Sequence, residues 1–263
     1  MIEVNCLSAE KQLRDLWILS IGVNDYDDNN NLRNLKFAVN DARAIIDVFK
    51  AQEGKQYGHV NSLLIADDGD FAPTRENIMD KFGYFRQAGE QDVMLLFIAG
   101  HGMNDNVGNF FFMPSDAAFT EDGSIRPSRA ISYRDIQSVL DGPGQKLVFI
   151  DACHSAGTGS RLTRSTDNNQ LTRQLDNNST VIFTSSRGTE VSKELDELGH
   201  GAFTYAILEG LKGEADPYRN GAVTMKALDA YVSQKVQQLT DRTQTPVTHT
   251  PDGYVDFQLA DLR

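Results

Sequence analysis

The sequence predicts an α/β fold in which a mostly parallel β-sheet of about six strands is covered by helices on both faces. Short apolar, β-rich runs alternate along the chain with segments of helical periodicity, which is the pattern of βαβ units. The 263 residues are enough for one domain with its own core. Apolar residues make up 40% and charged residues 24% of the chain, which is typical of a globular protein.

The strand candidates are short runs of apolar residues with few charges. They cover residues 16–23, 61–66, 92–100, 146–150 and 180–185, with a further short strand in 109–114. Strands of a parallel sheet are buried on both faces, which accounts for such continuous apolar runs. Functional sites in open α/β sheets form at the carboxyl ends of the strands, so the residues that end these runs are the first candidates.

The helix candidates follow the strands and carry recognisable start signals. Apolar residues recur at helical spacing in 35–52, and Thr74 and Thr224 can cap helices that run to about Gln87 and Leu239. Two further helices are predicted, one beginning after Ser132 with Asp135 in a loose capping box, and one over 201–213. These helices supply the crossovers that a parallel sheet needs, and the crossovers should be right-handed.

The composition excludes several classes of function. Asp and Glu number 37 against 25 Lys and Arg, a net charge of −12, whereas a nucleic-acid-binding surface needs a basic face. The acidic excess favours solubility and also attracts cationic substrates. No apolar run reaches the ~18 residues of a membrane span, and the first residues do not resemble a secretory signal. The two cysteines, Cys6 and Cys153, indicate no disulfide framework, so a cytoplasmic location is expected.

Two motifs carry candidate chemistry at the ends of predicted strands. "FIAGHG" (97–102) ends in His101 and Gly102, and "VFIDACHSAGTGS" (148–160) brings Cys153 to the end of the next strand. A thiolate is a nucleophile, and a nearby imidazole can activate it and then protonate a leaving amine. The alternative is that Cys153 is a buried, inert thiol. A zinc site is not expected, because the chain has no Cys-x-x-Cys or His-x-x-x-His pair.

The two motifs together resemble the caspase–metacaspase clan of cysteine peptidases, and specifically its metacaspase and bacterial orthocaspase branch. The histidine stands about 50 residues before an Ala-Cys pair, as in the caspase signature, with Asp151 in place of Gln. "ILSIGVNDYDDNNNLRNLKFAVNDA" (18–42) and "TSSRGTEVSKELDELGHGAFTYAILEGL" (184–211) resemble the clan's opening strand and helix and its small-subunit region. The resemblance covers about residues 16 to 260.

The resemblance implies one peptidase domain, 1–263, and a set of site residues. The domain comprises a large-subunit-like part (1–157), a loop (158–179) and a small-subunit-like part (180–263). Cys153 and His101 are implied as the catalytic dyad, and the backbone N–H groups of Gly102 and Cys153 as the oxyanion hole. Asp41 and Asp151 are implied as an acidic pocket, because two carboxylates can hold a guanidinium through charge-assisted hydrogen bonds. Cleavage is therefore expected after Arg, then Lys.

The chain departs from the family pattern at several positions. Ala99 stands where the family often has Ser, and Ala156 where it commonly has Gly. Many metacaspases need calcium, and Asp116 matches one of the acids involved. Other such acids are replaced, at Ser132, Tyr133 and Ser160. Because Ca²⁺ takes ~6–8 oxygen ligands, the sequence predicts a calcium-independent enzyme without a cofactor.

The segment 158–179 is polar and Asn-rich, and it predicts a long mobile loop. Its three arginines are the residue type that an acidic pocket would accept, so self-cleavage is expected at Arg173 first, or at Arg164 or Arg161.

Partners and rival functions complete the expectation. The partners are protein or peptide substrates with basic cleavage sites, without nucleic acid or membrane, and any regulator is a separate protein or the 158–179 loop. One rival is a catalytically weak or inactive caspase-like interaction or regulatory module, and another is a different cysteine hydrolase on the same kind of sheet. The other histidines and the second cysteine have no matching context: His154 is interpreted as structural, His59, His200 and His249 as surface or core residues, and Cys6 as incidental. Asp41 has the alternative of a solvated helix acid or a local cap.

Overall fold

The computed structural model describes residues 13–27, 32–154, 175, 180–187, 190 and 192–263, and for residues 153 and 154 it describes the backbone alone. Arg161, Arg164, Arg173, Ser160, Ala156 and Cys6 lie outside the described residues. The predicted self-cleavage loop is therefore untested by the structure. No helix in the described part of the chain is long and apolar enough to cross a membrane.

A central sheet organises the molecule. Its six main strands lie in the order β11–β7–β6–β3–β1–β2, all parallel except β11, and β4 and β5 extend it from the end of β3. The strands are β1 (Leu16–Gly22), β2 (Val60–Ala66), β3 (Val93–Asn104), β4 (Phe110–Phe112), β5 (Ile131–Ser132), β6 (Gln145–His154), β7 (Thr180–Thr184), β8 (Glu194–Leu195), β9 (His200–Gly201), β10 (Ala222–Thr224), β11 (Val247–His249) and β12 (Gln258–Asp261). The two short pairs β8–β9 and β10–β12 lie outside this sheet.

Five α-helices in the described residues cover the sheet. They are α1 (Ala38–Lys50), α2 (Arg75–Lys81), α3 (Tyr133–Val139), α4 (Ala202–Glu209) and α5 (Met225–Leu239). Alternate strand residues point to opposite faces. Leu95 and Phe97 of β3 pack in one core with α1, α4 and α5, whereas Leu96 and Ile98 pack in a second core with α2 and α3. The predicted sheet with helices on both faces is therefore confirmed.

The predicted helix starts are also confirmed, and they show why these segments begin where they do. Thr74 and Thr224 each accept a hydrogen bond at 3.3 Å from a backbone N–H in the first turn of the following helix. Ser132 and Asp135 form a reciprocal capping box at the start of α3. The segment predicted as one helix to Gln87 is α-helical only to Lys81 and continues as a 3₁₀ helix, consistent with the low helix propensity of Gly83.

The strands that carry the candidate motifs are longer than the apolar pattern predicts. The sequence predicts that β3 ends at residue 100 and β6 at residue 150, but they continue to Asn104 and His154. The extra residues pair with each other across the two strands, and the end of β3 also pairs with β4. His101 and residue 153 therefore lie inside the β3–β6 ladder. The sequence had instead predicted that each residue follows the end of its strand.

Candidate active site

The register of β3 and β6 brings the two candidate catalytic positions together. His101 and Cys153 are direct partners in this parallel ladder, and Ala99 and Asp151 are partners two residues earlier. Adjacent strands lie about 4.8 Å apart. Positions that stand about 50 residues apart in the sequence are thus neighbours at the carboxyl edge of the sheet.

The ring of His101 is held from two sides. The side chain is buried, and its Nε2 lies 2.7 Å from the backbone carbonyl oxygen of Arg33. A carbonyl can only accept, so Nε2 carries the proton, and the lone pair of the neutral ring is on Nδ1. The Tyr26 ring packs against the imidazole with centroids 4.8 Å apart, and its hydroxyl accepts a 2.8 Å hydrogen bond from the His101 backbone N–H. These contacts fix the orientation and tautomer of a candidate general base.

Gly102 lies in the most crowded part of this edge. A Cβ at this position would lie 2.7 Å from the ring of Phe110 and 3.1 Å from the Cβ of Ala152. The sequence suggests that glycine keeps the approach to the backbone N–H open, whereas the structure shows that the close approach of Phe110 already requires it. Its role in an oxyanion hole stays a prediction.

Asp151 is buried and surrounded by hydroxyl groups. Its Oδ2 accepts a 2.8 Å hydrogen bond from Thr204 on α4, and the hydroxyls of Ser185 and Ser192, which hydrogen-bond to each other, also lie at this carboxylate. Burial raises its pKa, and the three hydroxyls oppose this increase. Hydroxyl donors that stabilise the ionised form keep Asp151 in one orientation, two residues before Cys153.

Asp41 is the second buried carboxylate, and it comes from α1. Its Oδ1 lies 2.6 Å from Nδ1 of His200, and its Oδ2 accepts a 3.1 Å hydrogen bond from the backbone N–H of Gly201. The pKa of Asp41 is raised to about 7, chiefly because the carboxyl group is buried; the charge of Asp151 acts in the same direction, and the contacts with His200 and Gly201 oppose the increase. Asp41 is 3% exposed, so the alternative of a solvated helix acid is wrong.

The two carboxylates converge on Gly201. A Cβ on this residue would lie 2.8 Å from Oδ2 of Asp151 and 3.1 Å from Oδ2 of Asp41. A small pocket opens here and is lined by both acids together with Ala99, Glu194 and Gly201. The structure thus brings together the two acids that the resemblance implies, at a pocket that also includes the β3 partner of Asp151.

Four side chains that contact these acids were not predicted from the sequence. His200 was interpreted as a surface or core residue, but its imidazole contacts Asp41. The hydroxyls of Thr204, Ser185 and Ser192 contact Asp151. All four residues follow β7 in the sequence, and no local pattern marks them.

Asp116, the acid that matches a family calcium position, has protein partners. Its Oδ1 accepts a 2.7 Å hydrogen bond from the backbone N–H of Arg75 at the start of α2, and its Oδ2 lies 3.3 Å from the guanidinium of Arg129. Within the described residues, no cluster of three or more His, Cys, Asp or Glu could hold a metal ion. Asp116 thus ties α2 to the segment before β5, and calcium independence stays a prediction.

Comparisons with known proteins agree with this architecture. The crystal structure of protein GSU0716 from Geobacter sulfurreducens superposes with a TM-score of 0.61 and covers 95% of this chain and 100% of its own, at 16% sequence identity. This likeness concerns the fold alone. No curated protein matches the sequence. The model of the caspase domain, peptidase family C14, matches residues 16–255. The chain therefore belongs to the caspase-domain family of C14 peptidases, a family of cysteine peptidases.

Proposed function

We propose that this protein is a cysteine endopeptidase that uses Cys153 as nucleophile and His101 as general base, and that it cleaves after Arg and, more slowly, after Lys. The observation that carries the proposal is the direct pairing of these two positions in the β3–β6 register. It is supported by family membership over residues 16–255 and by the two buried carboxylates beside the pair.

The contacts of His101 suit the proposed chemistry. With its Nε2–H bound to the Arg33 carbonyl, the ring keeps a basic Nδ1 that can take the thiol proton. The thiolate attacks the scissile carbonyl, the imidazolium donates the proton to the leaving amine, and water then hydrolyses the thioester with His101 as base. A backbone carbonyl as partner of Nε2 also stabilises the imidazolium that forms, without adding a negative side chain.

The pocket suits a planar cation. Asp41 and Asp151 come from different elements, α1 and β6, and present oxygens to the same side of Gly201. An arginine fork can engage two carboxylates at once, whereas the ammonium of lysine is a point charge. Because Asp151 stands two residues before Cys153, about 6.6 Å along the strand, a side chain in the pocket would leave its backbone near the nucleophile.

A fluorogenic peptide library that varies the residue before the scissile bond tests this proposal. We expect turnover for Arg, weaker turnover for Lys, and none in Cys153→Ala. Asp151→Ala should lower kcat/KM more than Asp41→Ala, because Asp151 lies on the same strand as the nucleophile, two residues before it. A preference for Asp would contradict the basic specificity, and a folded wild type that cleaves no peptide would favour the rival interaction module.

A further inference from the structure

A buried glutamine joins two backbone segments behind the acidic pocket. The side chain of Gln244 is fully buried. Its Nε2 donates a 2.8 Å hydrogen bond to the backbone carbonyl oxygen of Ser185, directly after β7, and its Oε1 accepts a 2.9 Å hydrogen bond from the backbone N–H of Lys193, directly before β8. A side-chain amide can donate and accept at once, so one group ties the two segments together.

The tied segments carry two of the hydroxyl groups that contact Asp151. The hydroxyls of Ser185 and Ser192 hydrogen-bond to each other, and both contact this carboxylate. Ser185 is fixed to the central sheet, because its backbone N–H donates a 3.0 Å hydrogen bond to the carbonyl oxygen of Ile150 in β6. Ser192 directly precedes the residue whose N–H binds the amide of Gln244. That amide therefore helps to set how close the two hydroxyls come.

The backbone turns in an unusual way to bring Gln244 to this position. After α5 ends, Asp241 and Arg242 have φ values of 50° and 59°. Successive non-glycine residues in the left-handed region are uncommon, and they persist where the surrounding structure holds them. Thr245, directly after the glutamine, donates a 2.6 Å hydrogen bond from its backbone N–H to Oε2 of Glu190. The turn is thus held to the segment between β7 and β8 at two neighbouring residues.

We propose that Gln244 is a positioning residue for the acidic pocket. Its amide holds the residues before β8 against the end of β7, and so keeps the hydroxyls of Ser185 and Ser192 on the carboxylate of Asp151. Gln244 acts through these groups and does not touch the substrate. The inference rests on the proposed basic specificity and adds a residue that holds one of the two acids in place.

The expected effect is on substrate binding and not on the chemical step. A side chain in the pocket is remote from the scissile bond, so a displaced Asp151 weakens binding in the ground state and the transition state alike, which raises KM and leaves kcat unchanged. Gln244→Met keeps the length of the side chain but removes both hydrogen bonds of the amide. KM for an Arg peptide should rise about tenfold, the lower end of what a hydrogen bond to a charged group supplies.

The test compares KM and kcat on a fluorogenic Arg peptide for wild type, Gln244→Met and Gln52→Met. Gln52 is the matched control, because it is also a buried glutamine and its Oε1 accepts a 2.7 Å hydrogen bond from the backbone N–H of Asp261, in β12 outside the central sheet. We expect the rise in KM, with kcat within threefold of wild type, in Gln244→Met alone. Alkylation of Cys153 by iodoacetamide should proceed at the wild-type rate in all three proteins.

A double-variant comparison tests the route of the effect. Ser192→Ala removes one hydroxyl at Asp151 and leaves the amide of Gln244 in place. If Gln244 acts through this hydroxyl, the variant with both substitutions should have a KM close to that of the more affected single variant. A KM that rises by the product of the two single effects would show that Gln244 acts independently of Ser192, and would overturn the inference.

The outcomes separate this inference from the proposed function. An unchanged KM in Gln244→Met, an equal change in Gln52→Met, or a lower kcat at unchanged KM overturns the inference. If the wild type cleaves no Arg peptide, the basic specificity itself fails, and a crystal structure of Gln244→Met then decides: displaced Ser192 and Asp151 side chains support the positioning role, and unmoved ones refute it. If thermal unfolding shows that Gln244→Met does not fold, Gln244→Glu, which keeps the acceptor for the backbone N–H of Lys193, replaces it under the same criteria.

Discussion

Replacing Gly201 by Ala should block the acidic pocket while leaving the candidate dyad in place. The backbone of Gly201 has φ −63° and ψ 144°, which any residue can adopt, so the substitution causes no backbone strain. The new Cβ would lie 2.8 Å from Oδ2 of Asp151 and 3.1 Å from Oδ2 of Asp41, and at least one carboxylate must move. The added methyl group thus acts only on the pocket.

The size of the effect follows from the contact that is lost. A hydrogen bond to a charged group contributes about 1.5–3 kcal/mol, and about 1.4 kcal/mol corresponds to a factor of ten. Losing one carboxylate from the pocket should therefore lower kcat/KM for an Arg substrate by about tenfold to a hundredfold. Overpacking costs about 1–3 kcal/mol of stability, and each kcal/mol lowers Tm by about 2–4 °C in a chain of roughly this size.

The assay compares kcat/KM on a fluorogenic Arg peptide with the rate at which iodoacetamide alkylates Cys153. Gly201→Ala should lower the first and leave the second unchanged. Gly83→Ala is the control, because its Cβ would meet nothing closer than an Arg86 nitrogen at 3.8 Å. A Gly201→Ala variant that keeps kcat/KM within twofold of wild type would refute the assignment of this pocket to the substrate.

Three further predictions concern stability, calcium and processing. Burial raises the pKa of Asp41 from 3.8 to about 7, so the stability that the neutral carboxyl group contributes is lost progressively as the pH rises from about 4 to 7, and Asp41→Asn should raise Tm relative to wild type more at pH 8 than at pH 5. A Tm difference that falls with pH would contradict this. Peptidase activity should be the same in EDTA as in millimolar calcium, and several-fold stimulation by calcium would refute that. Intact-mass measurement after incubation should show cleavage in 158–179, first at Arg173, in wild type but not in Cys153→Ala, and equal fragments in both would indicate a contaminating protease.

The sequence predicts the sheet because each main strand is a buried apolar run, as in β1 and β7. It does not predict β11, which is three residues long and half-buried and is held by antiparallel pairing with β7. The predicted ends of β3 and β6 also come too early, because the last residues of these strands are held by backbone pairing with neighbouring strands and not by burial of apolar side chains. Short edge strands and strand ends depend on tertiary contacts that periodicity does not record.

In the candidate site, too, local motifs predict some residues and tertiary packing supplies the others. The motifs around His101 and Cys153 place both residues at the sheet edge, and the structure adds the register that pairs them. Asp41 and Asp151 are implied by resemblance, but His200 approaches from 159 positions further along the chain than its partner Asp41. Such a contact has no local sequence signal, since only the packing of α4 and β9 against α1 brings the two side chains together.

The central claim is that residue 153 is a nucleophile activated by residue 101. An arginyl peptide with a thiol-reactive electrophile, followed by mass spectrometry of the labelled chain, measures this directly. The account predicts one label, located on Cys153, with labelling abolished in Cys153→Ala and slowed at least a hundredfold in a folded His101→Ala variant, given that general base catalysis contributes about 10²–10⁴-fold. Labelling of Cys6 instead, or His101→Ala labelling at the wild-type rate, would contradict it.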